Sequence, residues 1–516
     1  MTPDVSVIVA VHNTETLLPE TFASLQKQTL GADRIQVVLV NDGSIDESGR
    51  VCDEFAATYP GPINVIHQEN SGTPAVPFNR GLDVATGRYV FFLGSDDYLW
   101  EEALQRLVQA ADRWESDVIF GPVAGVDGHA VARQVYRHGT SKDLDLYTTA
   151  LPYALANAKM YRRSLIESIG LRYREDMRQR CDQPFTLTAV VKGRRTSLLT
   201  DGDYYFARPR QDRSNVTYTA DYDESLYSTE IVMDTIAELI EAGPRRDHVM
   251  KRQFELSLDR LLDAHFMDAA PEARRRVMER IESLAGRYLT DDLAAQLPAE
   301  IRTRLVCAQR GDEAALLEVI DACTSPDPHA AVPIVIEGDD VYLALPPFRT
   351  AGWSDDIFWT DLRLLTRVSR TVRAVGASWQ GRSGLAIDVH VQIAGLDTDL
   401  VSARAETTDT ASAPARARRL TSKPFKKRGP TVSVIATQDQ STVRCSVRID
   451  TSKLALRTKF TPRLRLTVGG FEYDLPVEMA SCLPIERVGR QWNLRKYVVT
   501  VRSDPAGFMI VQRRER

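Results

Sequence analysis

The sequence predicts an α/β domain with a doubly wound sheet, then a helical region, then β-sandwich architecture. Three observations predict this order. Over roughly the first 220 residues, short apolar β-branched runs alternate with stretches of helical periodicity. Between 221 and about 325, apolar residues recur every three or four positions, broken by Gly-Pro and Ala-Pro. From about 330 the period changes to two. Strand–helix alternation implies an open sheet with helices on both faces, and period-two runs imply strands with one face buried.

The elements follow in order. "VSVIVAV" (5–11) is a continuous β-branched run, as expected of a strand buried on both faces. "HNTET" turns the chain into the helical pattern "LLPETFASLQKQT". "IQVVLVNDGS" (35–44), the helix "DESGRVCDEFAATYP" and "INVIHQENSG" (63–72) come next, then the helix "PFNRGLDVAT", the strand "GRYVFFLGSDDYL" and the helix "EEALQRLVQAADRWE". Ligands of such a sheet lie beyond the carboxyl ends of its strands. The helical region contains "DESLYSTEIVMDTIAELIEAG", "RDHVMKRQFELSLDRLLDAHFMD" and "PEARRRVMERIESLAGRYL". The period-two runs include "VPIVIEGDDVYLALP", "LAIDVHVQIAG", "TVRCSVRID" and "KYVVTVRS", interrupted by a basic Ala/Thr-rich stretch at 403–430. These boundaries give an α/β domain at 1–220, a helical segment at 221–325, and β-modules at 330–420 and 430–516, with 403–430 as a linker; a single irregular β-module is the alternative.

A hydrophobic content of 43%, a charged content of 26% and a net charge of −5 fit a soluble globular protein and argue against a general nucleic-acid binder. The six cysteines (52, 181, 307, 323, 445, 482) form no CxxC pair, which predicts reduced thiols in a cytoplasmic protein. No apolar run approaches the roughly 18 residues of a membrane span, so membrane contact is expected to be peripheral at most.

Acidic residues recur at strand ends: Asp42 after "VVLVN", Asp96 and Asp97 after "YVFFLGS", and Asp182 in "RQRCDQPFTL" ahead of a helical run. Each alone fits a helix cap. Together, on the rim of one sheet, they suit a sugar-nucleotide and a metal ion.

The segments "VSVIVAVHNTETLLPETFASLQKQT", "VVLVNDGSIDES", "NSGTPAVPFNRGLDVATGRYVFFLGSDD" and "CDQPF" resemble family 2 glycosyltransferases of the Rossmann-like GT-A fold over residues 3–217. The resemblance implies that Ala10, His12 and Asn13 line a nucleotide pocket, that Asp42 accepts the N3–H of the base, and that Asn70 and Arg80 lie on the neighbouring loop. Relatives carry Arg before the Asn of that helix, whereas here Phe78 precedes Asn79 and Arg80 follows it. "GSDD" takes the place of the family's metal motif. Asp96 would ligate Mn2+ or Mg2+ on the donor diphosphate, with Ser95 beside it and Asp97 toward the sugar, while Gly94 stands where the family's first Asp does. Asp182 would be the base that deprotonates the acceptor hydroxyl during inversion. Cys181 replaces the usual Glu before it and reads as a small buried residue. In "YYFARPRQDRSNVT", Arg208, Arg210, Arg213 and Ser214 would reach the diphosphate.

The domain order resembles the wall teichoic acid glycosyltransferases. That likeness implies a UDP-sugar donor such as UDP-GlcNAc, a poly(polyol phosphate) acceptor, action at the inner membrane face, and a homotrimer formed through the C-terminal part. Arg245, Arg246, Lys251 and Arg252 are the acceptor candidates. A capsule or exopolysaccharide transferase and a sugar-nucleotide-binding scaffold with a degenerate site are the alternatives, and Trp353, Trp359 and Trp379 are candidate carbohydrate platforms in the β-region.

Overall fold

The computed structural model describes residues 2–126, 131–210, 220–324 and most of 332–360; beyond 371 it describes strands, with side chains at 377–379 and 385–389. The chain divides into two compact units, 1–297 with 308–312 and 298–307 with 313–516.

The first unit holds the α/β domain. In chain order its elements are β1 (Val5–Val11), α1 (Leu18–Gln26), β2 (Ile35–Asp42), α2 (Ser48–Thr58), β3 (Ile63–Gln68), α3 (Ala75–Val84), β4 (Tyr89–Gly94), β5 (Tyr98–Leu99) and α4 (Ala103–Trp114). After these come β6 (Val118–Phe120), β7 (Val123–Gly125), β8 (Met160–Arg162), α5 (Arg163–Ser168), α6 (Asp182–Lys192), β9 (Thr196–Leu198) and β10 (Tyr205–Ala207). Seven strands form one sheet in the order β3-β2-β1-β4-β8-β6-β9. β1 pairs in parallel with both β2 and β4, so the winding reverses at β1, where a doubly wound sheet opens its ligand crevice. The β-branched runs fill the interior: Val5, Val7, Val9, Val37 and Val40 are fully buried. Removing each such side chain from water contributes about 1.5–3 kcal/mol.

The sheet is mixed, because β8 runs antiparallel to both β4 and β6. β6, β8 and β9 have three residues each, too few for a periodic signal in the sequence. A second small sheet joins β10 to β5 and β7, and it brings the chain around Arg208 over the end of β4.

The helical segment belongs to the same compact unit as the α/β domain, at least as far as Leu297. Its first helix, α7 (Tyr222–Leu239), starts on a capping box between Asp221 and Glu224. α8 (Pro244–Arg252) starts on a proline and runs into a wider π-turn at Gln253–Leu258. The long helical pattern around 246–268 is therefore not one helix. Gln253, Phe254, Ser257 and Leu258 turn inward there, and the Ser257 hydroxyl bonds Gln253 Oε1 at 2.8 Å.

In the second unit the strands form a five-stranded and a six-stranded sheet besides the hairpin Ile334–Leu343. Gly384–Gln392 pairs with Thr442–Asp450, and Val401–Asp409 pairs with Lys459–Val468. Strands from both sides of 420–430 thus share sheets. Residues 403–409, expected in a linker, lie in a strand. A period of two marks a strand without naming its partner.

Candidate functional site

The strand ends of β1, β2 and β4 make the first half of the site. Ala10 sits in register between Val40 and Gly94. His12 and Asn13 then fold over the end of β2. His12 Nδ1 lies 2.8 Å from the Asp42 carbonyl, and Asn13, at a left-handed φ of 49°, receives the Ile45 amide on Oδ1 at 2.9 Å. The Asp42 carboxylate is buried. It accepts from Gln68 Nε2 (2.6 Å), the Ser71 amide (3.1 Å) and the Ser71 hydroxyl (2.8 Å). Gly43, at φ 62°, lets the neighbouring loop approach, since a Cβ there would stand 2.3 Å from the Asn70 amide. Asn70 shapes that loop by accepting the Gly72 amide. Arg80 is exposed on α3 and enters none of these hydrogen bonds.

The two acidic residues after β4 are held by cations and a phenol. Arg210 Nε bonds Asp96 Oδ2 at 2.8 Å. The Tyr205 hydroxyl and the Arg208 amide (2.9 Å) donate to Asp97 Oδ2 and Oδ1. The Arg208 guanidinium reaches the Asp96 carbonyl, Glu20 and the Leu17 carbonyl. Burial and the charge of Asp96 push Asp97 up to about 7. Ser95 is buried, and its carbonyl receives the Thr21 hydroxyl. Neither Asp96, Asp97 nor Asp42 caps a helix, which removes the capping explanation.

Gly94 is explained by its surroundings. A Cβ there would meet Asp97 Oδ2 at 2.7 Å, Asp96 Oδ1 at 2.8 Å and the Tyr205 hydroxyl at 3.2 Å. Tyr205 also receives the Gly94 amide at 3.1 Å. The tyrosine hydroxyl fills the space a longer residue at 94 would need. For a divalent ion the donor set is narrow. Asp96 keeps Oδ1 outside its ion pair, and no cluster of three ligating side chains occurs among the described residues. One hard carboxylate fits an ion carried in largely by substrate phosphates and water.

The second half is a cleft of about 320 Å³ lined by residues that include Pro74, Asn157, Arg180, Asp182, Gln183 and Arg252. Asp182 is the first residue of α6 and takes backbone amides of that first turn. An aromatic stack holds the turn in place: Tyr173 lies flat on Phe185 at 4.1 Å, and Phe92 meets Phe185 edge-on at 5.4 Å. Such pairs each add about 0.5–1.5 kcal/mol. Burial raises the Asp182 carboxyl, opposed by the charges of Arg252 and Lys159. Cys181 is buried and its thiol is raised by burial, which makes it a poor nucleophile.

Arginines dominate the rest of the cleft. Arg180, at φ 58°, bonds the Thr229 hydroxyl at 2.9 Å, and Arg252 bonds Gln183 Oε1 at 2.9 Å. Burial and the like charges of Arg252 and Arg260 pull Arg180 down to about 10. The buried Arg252 Nε has no hydrogen-bond partner among the described residues. Among the four basic acceptor candidates, only Arg252 lines this cleft. Arg245 stacks over Tyr147 at 5.1 Å and Lys251 faces Glu255 at 3.9 Å, while Arg246 lies near the helix start. Arg213 and Ser214 lie outside the described residues.

Sequence reasoning missed Arg180, Arg260, Lys159 and Tyr205. Arg180 and Tyr205 stood inside quoted motifs, beside Asp182 and Arg208, and were readable there. Lys159 and Arg260 carried no local signal. In the second unit Trp353 packs on Phe358 at 5.9 Å, and Trp359 is 36% exposed.

Known proteins share this architecture. Residues 6–170 match the glycosyl transferase family 2 model, and residues 223–328 match the glycosyl transferase TarS linker domain. The poly(ribitol-phosphate) beta-N-acetylglucosaminyltransferase TarS of Staphylococcus aureus is 31% identical over 206 residues, covering 40% of this chain and 36% of that protein. The match therefore spans about a third of that relative's length. The uncharacterized glycosyltransferase EpsJ of Bacillus subtilis is 31% identical over 241 residues, covering 44% of this chain and 67% of EpsJ. The crystal structure of S. aureus TarS superposes with a TM-score of 0.64 at 18% identity, over 99% of this chain and 85% of that one, a likeness of fold. With the two catalytic-domain halves, the linker match and the two-thirds coverage of EpsJ in agreement, the chain belongs to glycosyl transferase family 2.

Proposed function

We propose that the chain is an inverting glycosyltransferase that moves a sugar, GlcNAc from UDP-GlcNAc, onto a hydroxyl of a poly(polyol phosphate) of the cell-wall teichoic acid type. The observation that carries this is the Asp182 cleft: one half-buried carboxylate ringed by Arg178, Arg180, Arg252 and Arg260. The carboxylate takes the proton of the acceptor hydroxyl as its oxygen attacks the anomeric carbon, and UDP leaves from the opposite face. The arginines, with the orphan donor of Arg252, suit the phosphates of an anionic acceptor. A neutral capsule-type glycan gains nothing from four guanidinium groups, which favours the charged polymer over the exopolysaccharide alternative.

On the donor side, Ala10, His12, Asn13 and Asn70 border the nucleotide. Asp42 keeps acceptor capacity on Oδ2 for a uracil N3–H. Asp97 faces the sugar, beside Ser95. Arg208 and Arg210 hold diphosphate oxygens, extended by Arg213 and Ser214; Arg80 has no part in the network. Asp96 would hold Mn2+ or Mg2+, whose chemistry is to neutralise charge growing on the leaving diphosphate. Arg245, Arg246 and Lys251 extend the basic track for the polymer beyond Arg252.

The domain proposal keeps an α/β catalytic part near 1–220 and a helical acceptor-side part to about 325. A β-sandwich C-terminal region assembles a homotrimer. The poly(ribitol-phosphate) transferase activity of TarS and the linker match support the acceptor class. No helix among the described residues is long and apolar enough to cross a membrane. We place the enzyme in the cytoplasm, working at the inner membrane face.

The test is transfer from a panel of nucleotide sugars to purified polyribitol phosphate, with and without Mn2+, using wild type and Asp182→Asn. UDP-GlcNAc should be the productive donor, and Asp182→Asn should lose at least a thousandfold in kcat while binding UDP as before. Wild-type-like turnover in Asp182→Asn would overturn the base assignment. A wild type that binds UDP but turns over no donor would support the scaffold alternative.

A further inference from the structure

Lys159 is the buried charge that the proposed chemistry leaves without a task. It sits just before β8 and is 2% exposed. Its ammonium donates to the Ala156 carbonyl at 2.8 Å and lies 4.7 Å over the Phe120 ring. No carboxylate lies within ion-pair distance of it among the described residues, although an ammonium in such surroundings is costly unless a charge compensates it. The strand it precedes packs under α6, where the Tyr161 hydroxyl meets the Thr186 hydroxyl at 2.7 Å. Asn157, two residues before Lys159, lines the same cleft as Asp182 and receives the Tyr173 hydroxyl at 2.7 Å. Lys159 therefore lies behind the wall that carries the first turn of α6, and among the described residues Asp182 is the carboxylate whose charge favours its ammonium.

We propose that Lys159 is a positioning residue, the buried counter-cation that keeps Asp182 ionised and able to accept a proton without itself touching substrate. This rests on Asp182 being the base. Arg252 opposes the burial of the carboxylate more strongly than Lys159 does, but from the open side of the cleft. Arg252 is engaged by Gln183 and opens on the cleft, where an anionic acceptor would neutralise it. Arg180 and Arg260 face the same opening. Tyr161, Tyr173 and Cys181 are all raised by burial and stay neutral near pH 7. Lys159, on the closed side, is the cation whose field survives acceptor binding. Burial pulls it down to about 7 and Asp182 opposes that, so the two charges sustain one another.

The experiment is the pH profile of kcat/KM for UDP-sugar transfer in wild type, Lys159→Met and Asp182→Asn. A base active when ionised gives an acidic limb that rises through its pKa. Removing a nearby cation moves that limb upward, by roughly one pH unit or more. Lys159→Met should lose about tenfold below the limb and recover toward wild type at high pH, with UDP affinity unchanged. A uniform loss at every pH, or a limb that stays in place, overturns the proposal even if Asp182→Asn is inactive. Activity surviving in Asp182→Asn would instead defeat the base assignment itself. Lys159→Gln repeats the test if UDP affinity shows that the Met variant is misfolded.

Discussion

Replacing Gly94 by alanine tests the donor side most directly. The added carbon would stand 2.7 Å from Asp97 Oδ2 and 2.8 Å from Asp96 Oδ1, well inside van der Waals contact. Two escapes exist. If the backbone yields, the misfit costs about 1–3 kcal/mol, the range for overpacked sites. If a carboxylate swings away, either the Tyr205–Asp97 bond or the Arg210–Asp96 pair breaks, and a hydrogen bond to a charged group contributes about 1.5–3 kcal/mol. Both routes give a penalty near 2 kcal/mol, so the thermal midpoint should fall by several degrees. Because Asp96 and the Arg208–Arg210 segment would be displaced, UDP affinity in the presence of Mn2+ should fall roughly thirtyfold by titration calorimetry. Gly94→Asp should be worse in metal-free buffer. A third carboxylate about 4 Å from the first two adds about 4 kcal/mol of repulsion per pair at an effective dielectric of about 20. An alanine variant with wild-type melting and UDP binding would refute the steric account of Gly94.

Two further outcomes are expected. Arg210→Ala frees Asp96 Oδ2 from its internal cation, so nucleotide-free protein should bind Mn2+ several-fold more tightly, read by the water-proton relaxation of the ion; unchanged or weaker binding would contradict the competition. Light scattering of the full chain should give about three times its 57.7 kDa, whereas a monomer mass would remove the trimer proposal.

How much of this was legible beforehand depends on the kind of signal. Long β-branched runs such as Val5–Val11 and Ile35–Asp42 announce buried strands because a strand covered on both faces has no polar side to show. Three-residue strands announce nothing. Asp42, Asp96, Asp97 and Asp182 were legible because turn chemistry and motif spacing are local. The arginines around Asp182 come from two places far apart in sequence, the Arg178–Arg180 turn and the α8 π-turn region, and no local pattern joins them.

By itself, the sequence determined the class of the first domain, the strand-end carboxylates and the helical nature of 222–324, because each follows from periodicity or residue chemistry within a short window. The tertiary structure decided three other things. It set the antiparallel β8 and the strand exchange across 403–430, since pairing partners are chosen by packing. It gave Gly94 its reason, since a tyrosine 111 residues away holds the space beside it. And it turned Lys159 from an ordinary residue before a strand into a buried charge behind the Asp182 cleft, since burial is a property of the fold.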